Sequence, residues 1–272
     1  MSMVFRAAAA LLAALAFVPA AEAAPRTDCH AKAISQLQRL SPRGYAIYQA
    51  MADKKQFLTW VTCDDIQLGL TTGVHESVHL LTQDKDAFPL IEGGSIRRPH
   101  EVSRFFAPGQ IASRFDRNDA YVETYLRPGG ASSREDFLYL LDELNAYSHD
   151  LNSAVRLIPL QRRDQQVDHR DGLAALMMFT MAYADTAKAK HPATWQGLQR
   201  PEAKKVIQTL WTQAEKTYAS AQGIPNFGMK DRQYARFMCE EKNNAALAEL
   251  LGRAPLCFDG ASPEITSSVP SR

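Results

Sequence analysis

The stretch "TTGVHESVHLL", residues 71 to 81, constrains this chain more than any other. It places two of the seven histidines four positions apart, with a glutamate directly after the first, among Val74, Val78, Leu80 and Leu81. On an α-helix, residues i and i+4 project from one face, so the imidazoles of His75 and His79 can converge on a single ion while Glu76 lies beside them. A solvated helix face would not carry that density of aliphatic side chains. The stretch therefore reads as a helix packed into the interior with a polar seam of two imidazoles and a carboxylate.

"HESVH" resembles the H-E-x-x-H signature of the zincin metallopeptidases. The flanking Thr72, Gly73, Ser77, Val78, Leu80 and Leu81 resemble the extended form of that pattern, from which charges are excluded. The resemblance implies one zinc ion (Zn2+) held by His75 and His79, with Glu76 as the general base that takes a proton from water activated by the metal. Because a catalytic zinc carries three protein ligands and keeps one position open, it also implies a third ligand elsewhere.

The residues after His79, "LLTQDKDAF", contain neither the glycine nor the histidine of the metzincin arrangement, and Asp84 or Asp86 would reach the ion only through a sharp reversal of the chain. Glu143, in "LLDELNAYSHDL" (residues 140 to 151), resembles the glutamate helix of the gluzincins, with a small residue, Ala146, three positions on and a polar one, Tyr147, next. A small side chain there lets two helices approach closely, as short ligand bonds require. The family's frequent acidic residue is replaced by Tyr147, so Asp150, seven positions after Glu143 on the same helical face, is the expected partner that orients a ligand histidine. Glu123, in "AYVETYL", is the alternative third ligand. Tyr147 and His149 are the candidate donors to a developing oxyanion, with Tyr121 or Tyr125 behind them.

The rest of the chain sets the context. Arg6, the apolar run from Ala7 to Val18 and "AEA" at 21 to 23 have the form of a secretory signal peptide, residues 1–23. Export gives the four cysteines an oxidising compartment, where disulfides are expected over thiolate metal sites. Of the three possible pairings, neighbour pairing is expected, Cys29 with Cys63 and Cys239 with Cys257, each tying down a terminal helix. The protein is then periplasmic or secreted, with no membrane insertion after cleavage. A formal net charge of +1 gives no electrostatic footprint for nucleic acid, and Arg97/Arg98 and Arg162/Arg163 read as solvated loop charge. His30, His100, His169 and His191 stand alone in polar contexts and read as surface residues, while Met177, Met178 and Met181 read as core packing.

Helical spacing of apolar residues is clearest over 133 to 158, 171 to 190, 202 to 222 and 230 to 251, with Ser132 and Glu135 as a capping box, Pro201 at a helix start and Gly223 and Gly252 at helix ends. "GQIASRFDRNDAYVETYLRPGG" (109 to 130) has β-formers around a polar turn and reads as a hairpin, whereas "FPLIEGGSIRRPHEV" (88 to 102) is too irregular to assign. Zincin peptidases present an edge strand to a peptide substrate, and either stretch is a candidate for it. The fold class expected is mainly α with a small β-hairpin, a single zincin-like domain over 24–262 followed by a flexible tail, 263–272.

The function implied is an exported zinc-dependent metallopeptidase acting on a peptide or protein substrate. The alternative is a non-catalytic helical zinc-binding or scaffold protein of the periplasm. Neither the substrate nor the oligomeric state is readable from the residues.

Overall fold

A computed structural model describes residues 26–162 and 165–258 of the chain. The signal peptide expected over 1–23 and the tail expected over 263–272 lie outside the described residues. In chain order the helices and strands are α1 (Arg26–Leu40), α2 (Pro42–Ala50), α3 (Lys54–Thr59), α4 (Ile66–Lys85), β1 (Ala87–Pro89), β2 (Ser95–Arg97), α5 (Ala120–Leu126), α6 (Phe137–Arg156), α7 (His169–Lys190), α8 (Pro192–Leu198), α9 (Pro201–Ser220), α10 (Asp231–Cys239) and α11 (Glu241–Leu251). Short 3-10 turns at His100–Arg104, Pro108–Arg114, Ser132–Arg134 and Ile158–Leu160 link them. The architecture is mainly helical with one two-stranded antiparallel sheet, and no described helix is long and apolar enough to cross a membrane.

The motif helix α4 begins where the Asp65 carboxylate accepts a hydrogen bond from the Leu68 backbone N–H, satisfying one of the free donors of the first turn. It ends at Asp86, whose left-handed backbone (φ 50°) closes the last turn. Leu70, Val74, Val78 and Leu81 form one stripe, buried with Ala33, Leu37, Ile47 and Phe57 of α1 to α3. Full burial of each such side chain contributes about 1.5–3 kcal/mol, so α1 to α3 hold α4 through a small core of their own. Gly73 lets that packing close, since a Cβ there would sit 2.9 Å from the Phe57 ring.

The larger core lies on the far side of α6, where Leu140, Leu141, Leu144 and Leu151 pack with Leu173, Leu176, Met177, Phe179 and Met181 of α7 and with α9 to α11. The three methionines are core residues, as their spacing suggests. Thus α6 is the central helix, with α4 along one side and α7 and α9 along the other.

Several boundaries differ from the sequence expectation. The hairpin expected over 109 to 130 is instead a 3-10 turn followed by α5, because Asp119 caps the Tyr121 and Val122 N–H groups and Val122, Tyr125 and Leu126 turn to one buried side at helical spacing. The sheet lies in the stretch left unassigned, with Ala87, Phe88 and Pro89 opposite Arg97, Ile96 and Ser95 and the chain reversing at Gly93 and Gly94, both at positive φ. Helix α6 starts at Phe137 with Asp136 as its cap rather than through Ser132 and Glu135. The stretch 230 to 251 is two helices, broken at Glu240 in extended conformation. Pro201 opens α9 and Gly252 closes α11 in left-handed conformation, as expected.

Both disulfides have the neighbour pairing, Cys29–Cys63 and Cys239–Cys257, which fits an oxidising compartment. The first ties α1 to the segment entering α4. The second brackets α11 rather than anchoring it directly, joining the end of α10 to the segment after α11, which Glu215 of α9 also holds by accepting from Arg253 and the Leu256 N–H.

Candidate metal centre

Three side chains meet where α4 crosses α6. His75 Nε2 and His79 Nε2 are 3.2 Å apart, and Glu143 Oε2 lies 3.6 Å from the first and 3.4 Å from the second. Ligand atoms arranged tetrahedrally around an ion at bond lengths of about 2.0–2.1 Å are separated by about 3.3 Å, so the three side chains are already at ligand spacing. Glu143 Oε2 is buried and takes no hydrogen bond from the described residues. A carboxylate oxygen buried beside two imidazole nitrogens and otherwise unpartnered would be costly without a cation. The donor set, two nitrogens and one oxygen, and its spacing fit a divalent metal ion, and among the described residues this is the group able to hold one.

Ala146 is fully buried in the same cluster as Val74 and Val78, so the helix crossing is close where the sequence calls for a small residue. The environment of His79 is built to orient it. Its Nδ1 donates to Asp142 Oδ2 at 2.8 Å, so the nitrogen facing His75 and Glu143 is Nε2, which presents a lone pair there once its own proton is lost. Burial pushes the His79 imidazole down, but the Asp142 hydrogen bond and the nearby Glu143 outweigh it and hold the metal-free group up at about 10. Burial pushes Glu143 up, and the two imidazoles more than reverse that, to about 2. Two carboxylates against two imidazoles leave an excess of negative charge that a cation neutralises.

The orienting carboxylate was expected to be Asp150, and that assignment is corrected to Asp142. Asp150 Oδ1 instead accepts from His169 Nδ1 at 2.6 Å, and His169 Nε2 faces the Gln67 side chain at 3.2 Å. His169, expected on the surface, is only 4 % exposed. Its place in the sequence carried a signal, since it is in helical register with Leu173 and Leu176 of the buried face of α7. Asp142 carried one too, as a second carboxylate inside "LLDEL".

Glu123, expected on a strand, sits on α5 with an exposed side chain paired to Arg127 at 3.5 Å, away from the imidazoles. Asp84 is exposed, and Asp86 pairs with the exposed His100 at 2.6 Å. His30 and His191 are half-buried rather than surface residues, the first bonded to the Val61 carbonyl and the second stacked on Phe106. His149 is buried with Nε2 committed to the Pro89 carbonyl at 3.0 Å; burial lowers it to about 4, so it is a neutral strut under β1 rather than an oxyanion donor. Asn145 donates to the same carbonyl, so β1 leans on α6 and its outer edge is occupied there.

Tyr147 does lie at the centre, its ring edge-on to His75 at 4.6 Å between centroids. Its hydroxyl pairs with that of Tyr125 at 2.7 Å. Two hydroxyls carry two protons and the mutual bond uses one, which leaves one donor free. Burial raises both tyrosines above the usual phenol value, so they stay neutral donors. Together with Glu76 and Tyr121 they line a cavity of about 220 Å3 that opens beside His75. Comparison of the chain with protein-family models, with curated proteins and with solved structures gives no match.

Proposed function

We propose that this chain is an exported, gluzincin-like zinc metallopeptidase that hydrolyses a peptide bond, with His75, His79 and Glu143 as the metal ligands. The observation that carries the reading is the meeting of the H-E-x-x-H helix with Glu143 at ligand spacing, with Glu76 in the wall of the adjoining cavity. A zinc ion there would act as a Lewis acid, lowering the pKa of water and polarising the scissile carbonyl. Glu76 takes the proton from the attacking water and returns it to the departing amine. The free hydroxyl proton of the Tyr125–Tyr147 pair donates to the carbonyl oxygen as charge develops on it. Asp142 keeps His79 in the tautomer that presents Nε2. Two disulfides suit a protein working outside the reducing cytoplasm.

The test couples metal analysis to turnover. Purified protein should contain one zinc per chain, lost in His75→Ala, and should cleave members of a diverse peptide mixture read by mass spectrometry. Glu76→Gln should keep the zinc and the fold while cutting turnover by about 10²–10⁴-fold. Fully metal-loaded protein that cleaves nothing, or a Gln variant as active as the parent, would sink the peptidase reading.

A further inference from the structure

The cavity beside the metal centre is lined in part by groups that the chemistry above does not use, Asp150, Asp168 and His169. It is walled by α4, α5, α6 and the start of α7, with His75 and Glu76 in the same lining. Three carboxylates line it, and no lysine or arginine does. Asp150 is 8 % exposed and lines the space; its Oδ1 accepts from His169, and its Oδ2 takes no hydrogen bond from the described residues. Asp168 keeps its Oδ2 on the Tyr121 hydroxyl at 3.0 Å, at the open side. Even with His169 counted as a cation against Asp150, the walls remain net negative.

The remaining wall is aromatic. Tyr121, Tyr125 and Tyr147 surround the space, with Tyr121 to Tyr125 stacked at 6.3 Å and Tyr147 edge-on to both. Tyrosine faces attract a desolvated cation through the ring quadrupole. Leu68, 41 % exposed, adds an aliphatic surface on the same cavity. A volume of about 220 Å3 is below the roughly 300–1,000 Å3 of sites that enclose a whole ligand, and suits one side chain or terminal group.

We propose that this cavity contains a subsite for a substrate cation, an ammonium or guanidinium group held by Asp150 and Asp168 beside the tyrosines, so that the substrate is a peptide carrying a positive charge next to the bond cleaved. The inference rests on the peptidase reading for its word "substrate", but the cation site itself does not. A basic side chain and a free terminal amine share the required chemistry.

The binding test therefore needs no turnover. Calorimetry of the metal-loaded full chain with n-butylguanidinium and with the neutral, nearly isosteric n-butylurea should show at least tenfold tighter binding of the cation. Asp150→Asn should abolish that preference with zinc content unchanged, and Asp168→Asn, at an exposed residue whose side chain caps no helix N–H, should reduce it severalfold. Equal affinity for the two probes, or a preference that survives Asp168→Asn and Asp150→Asn, overturns the proposal. In the turnover arm the two sources separate: if a side chain is held, peptides with Arg or Lys next to the cleaved bond should exceed Gln analogues at least tenfold in kcat/KM, and if the terminal amine is held, N-terminal acetylation should lower kcat/KM at least tenfold instead. Cleavage indifferent to charge overturns the subsite and leaves the peptidase standing, whereas cation binding without any cleavage does the reverse.

Discussion

At His79 a proton and a metal ion compete for one nitrogen. Without metal, the imidazole is pulled up to about 10, against burial, by Asp142 and Glu143, well above its unfolded reference of about 6.5. A raised folded value means that the proton's contribution to stability is fully present below about 6.5 and is lost as pH rises through about 10. A metal ligand must be neutral, so metal binding has the opposite slope: near pH 7 it must expel that proton. Calorimetric titration with zinc in buffers of different ionisation enthalpy should show about one proton released per ion at pH 7, and metal affinity that strengthens from pH 6 to 9. No buffer dependence would mean that His79 is not the group displaced. Glu143 has the complementary behaviour, since its value near 2 gives stability present above about 4.5 and lost as pH falls toward 2. Asp142→Asn, which removes the charge but keeps the shape, should weaken metal binding by about 10–100-fold in competition with a chelator and leave the secondary structure intact. Unchanged affinity would show that Asp142 does not orient the ligand.

At the scale of helices, the centre exists because α6 is contacted from two sides by side chains that fit little else. On the α4 side the fit is Ala146 against Val74 and Val78. On the α7 side it is Gly172, where an added Cβ would lie 2.1 Å from the Tyr147 ring. That ring in turn abuts His75 and bonds Tyr125, so α7 holds the Tyr125–Tyr147 pair, the proposed donor, in place through a missing side chain. Gly172→Ala should cost about 1–3 kcal/mol in urea denaturation, since the ring has helices on both sides, and, on the peptidase proposal, should lower turnover more than it lowers zinc content. Full activity and stability in that variant would mean that Tyr147 can move without consequence. The helix identities were legible, because α6, α7 and α9 carry strong apolar periodicity. The stretch 109 to 130 was misread because its β-forming tyrosines and valine are also spaced for one helical face, and the Asp119 cap decided between the two.

Across the whole molecule, the site joins two cores, the small one of α1 to α4 and the large one beyond α6, so whatever loosens the first moves His75 and His79, two of the three candidate ligands. The Cys29–Cys63 bridge closes a loop of 34 residues and the Cys239–Cys257 bridge one of 18, worth about 4 and about 3 kcal/mol if the restraint acts on the unfolded chain. Replacing Cys29 and Cys63 by serine should lower unfolding stability by about that much and also weaken zinc retention, because Cys63 lies next to the segment that enters α4. Replacing Cys239 and Cys257 should lower stability and spare the metal. Equal loss of zinc in the two variants would contradict the division into two cores.

What the residues determined by themselves were features set by short-range geometry. The i, i+4 pairing of His75 and His79, the helical class, the placing of Glu143 on a helix with Ala146 and the neighbour pairing of the cysteines all depend on spacing along one element or on loop closure. What only the tertiary structure decided is which groups from different elements come into contact. Asp142 rather than Asp150 reaches His79, Asp150 is taken by His169 of α7, and His149 bonds the Pro89 carbonyl of β1 because of how α4, α6, α7 and the strand pack against one another. Crossing angles come from the fit of side chains over whole helices, and no local spacing encodes them.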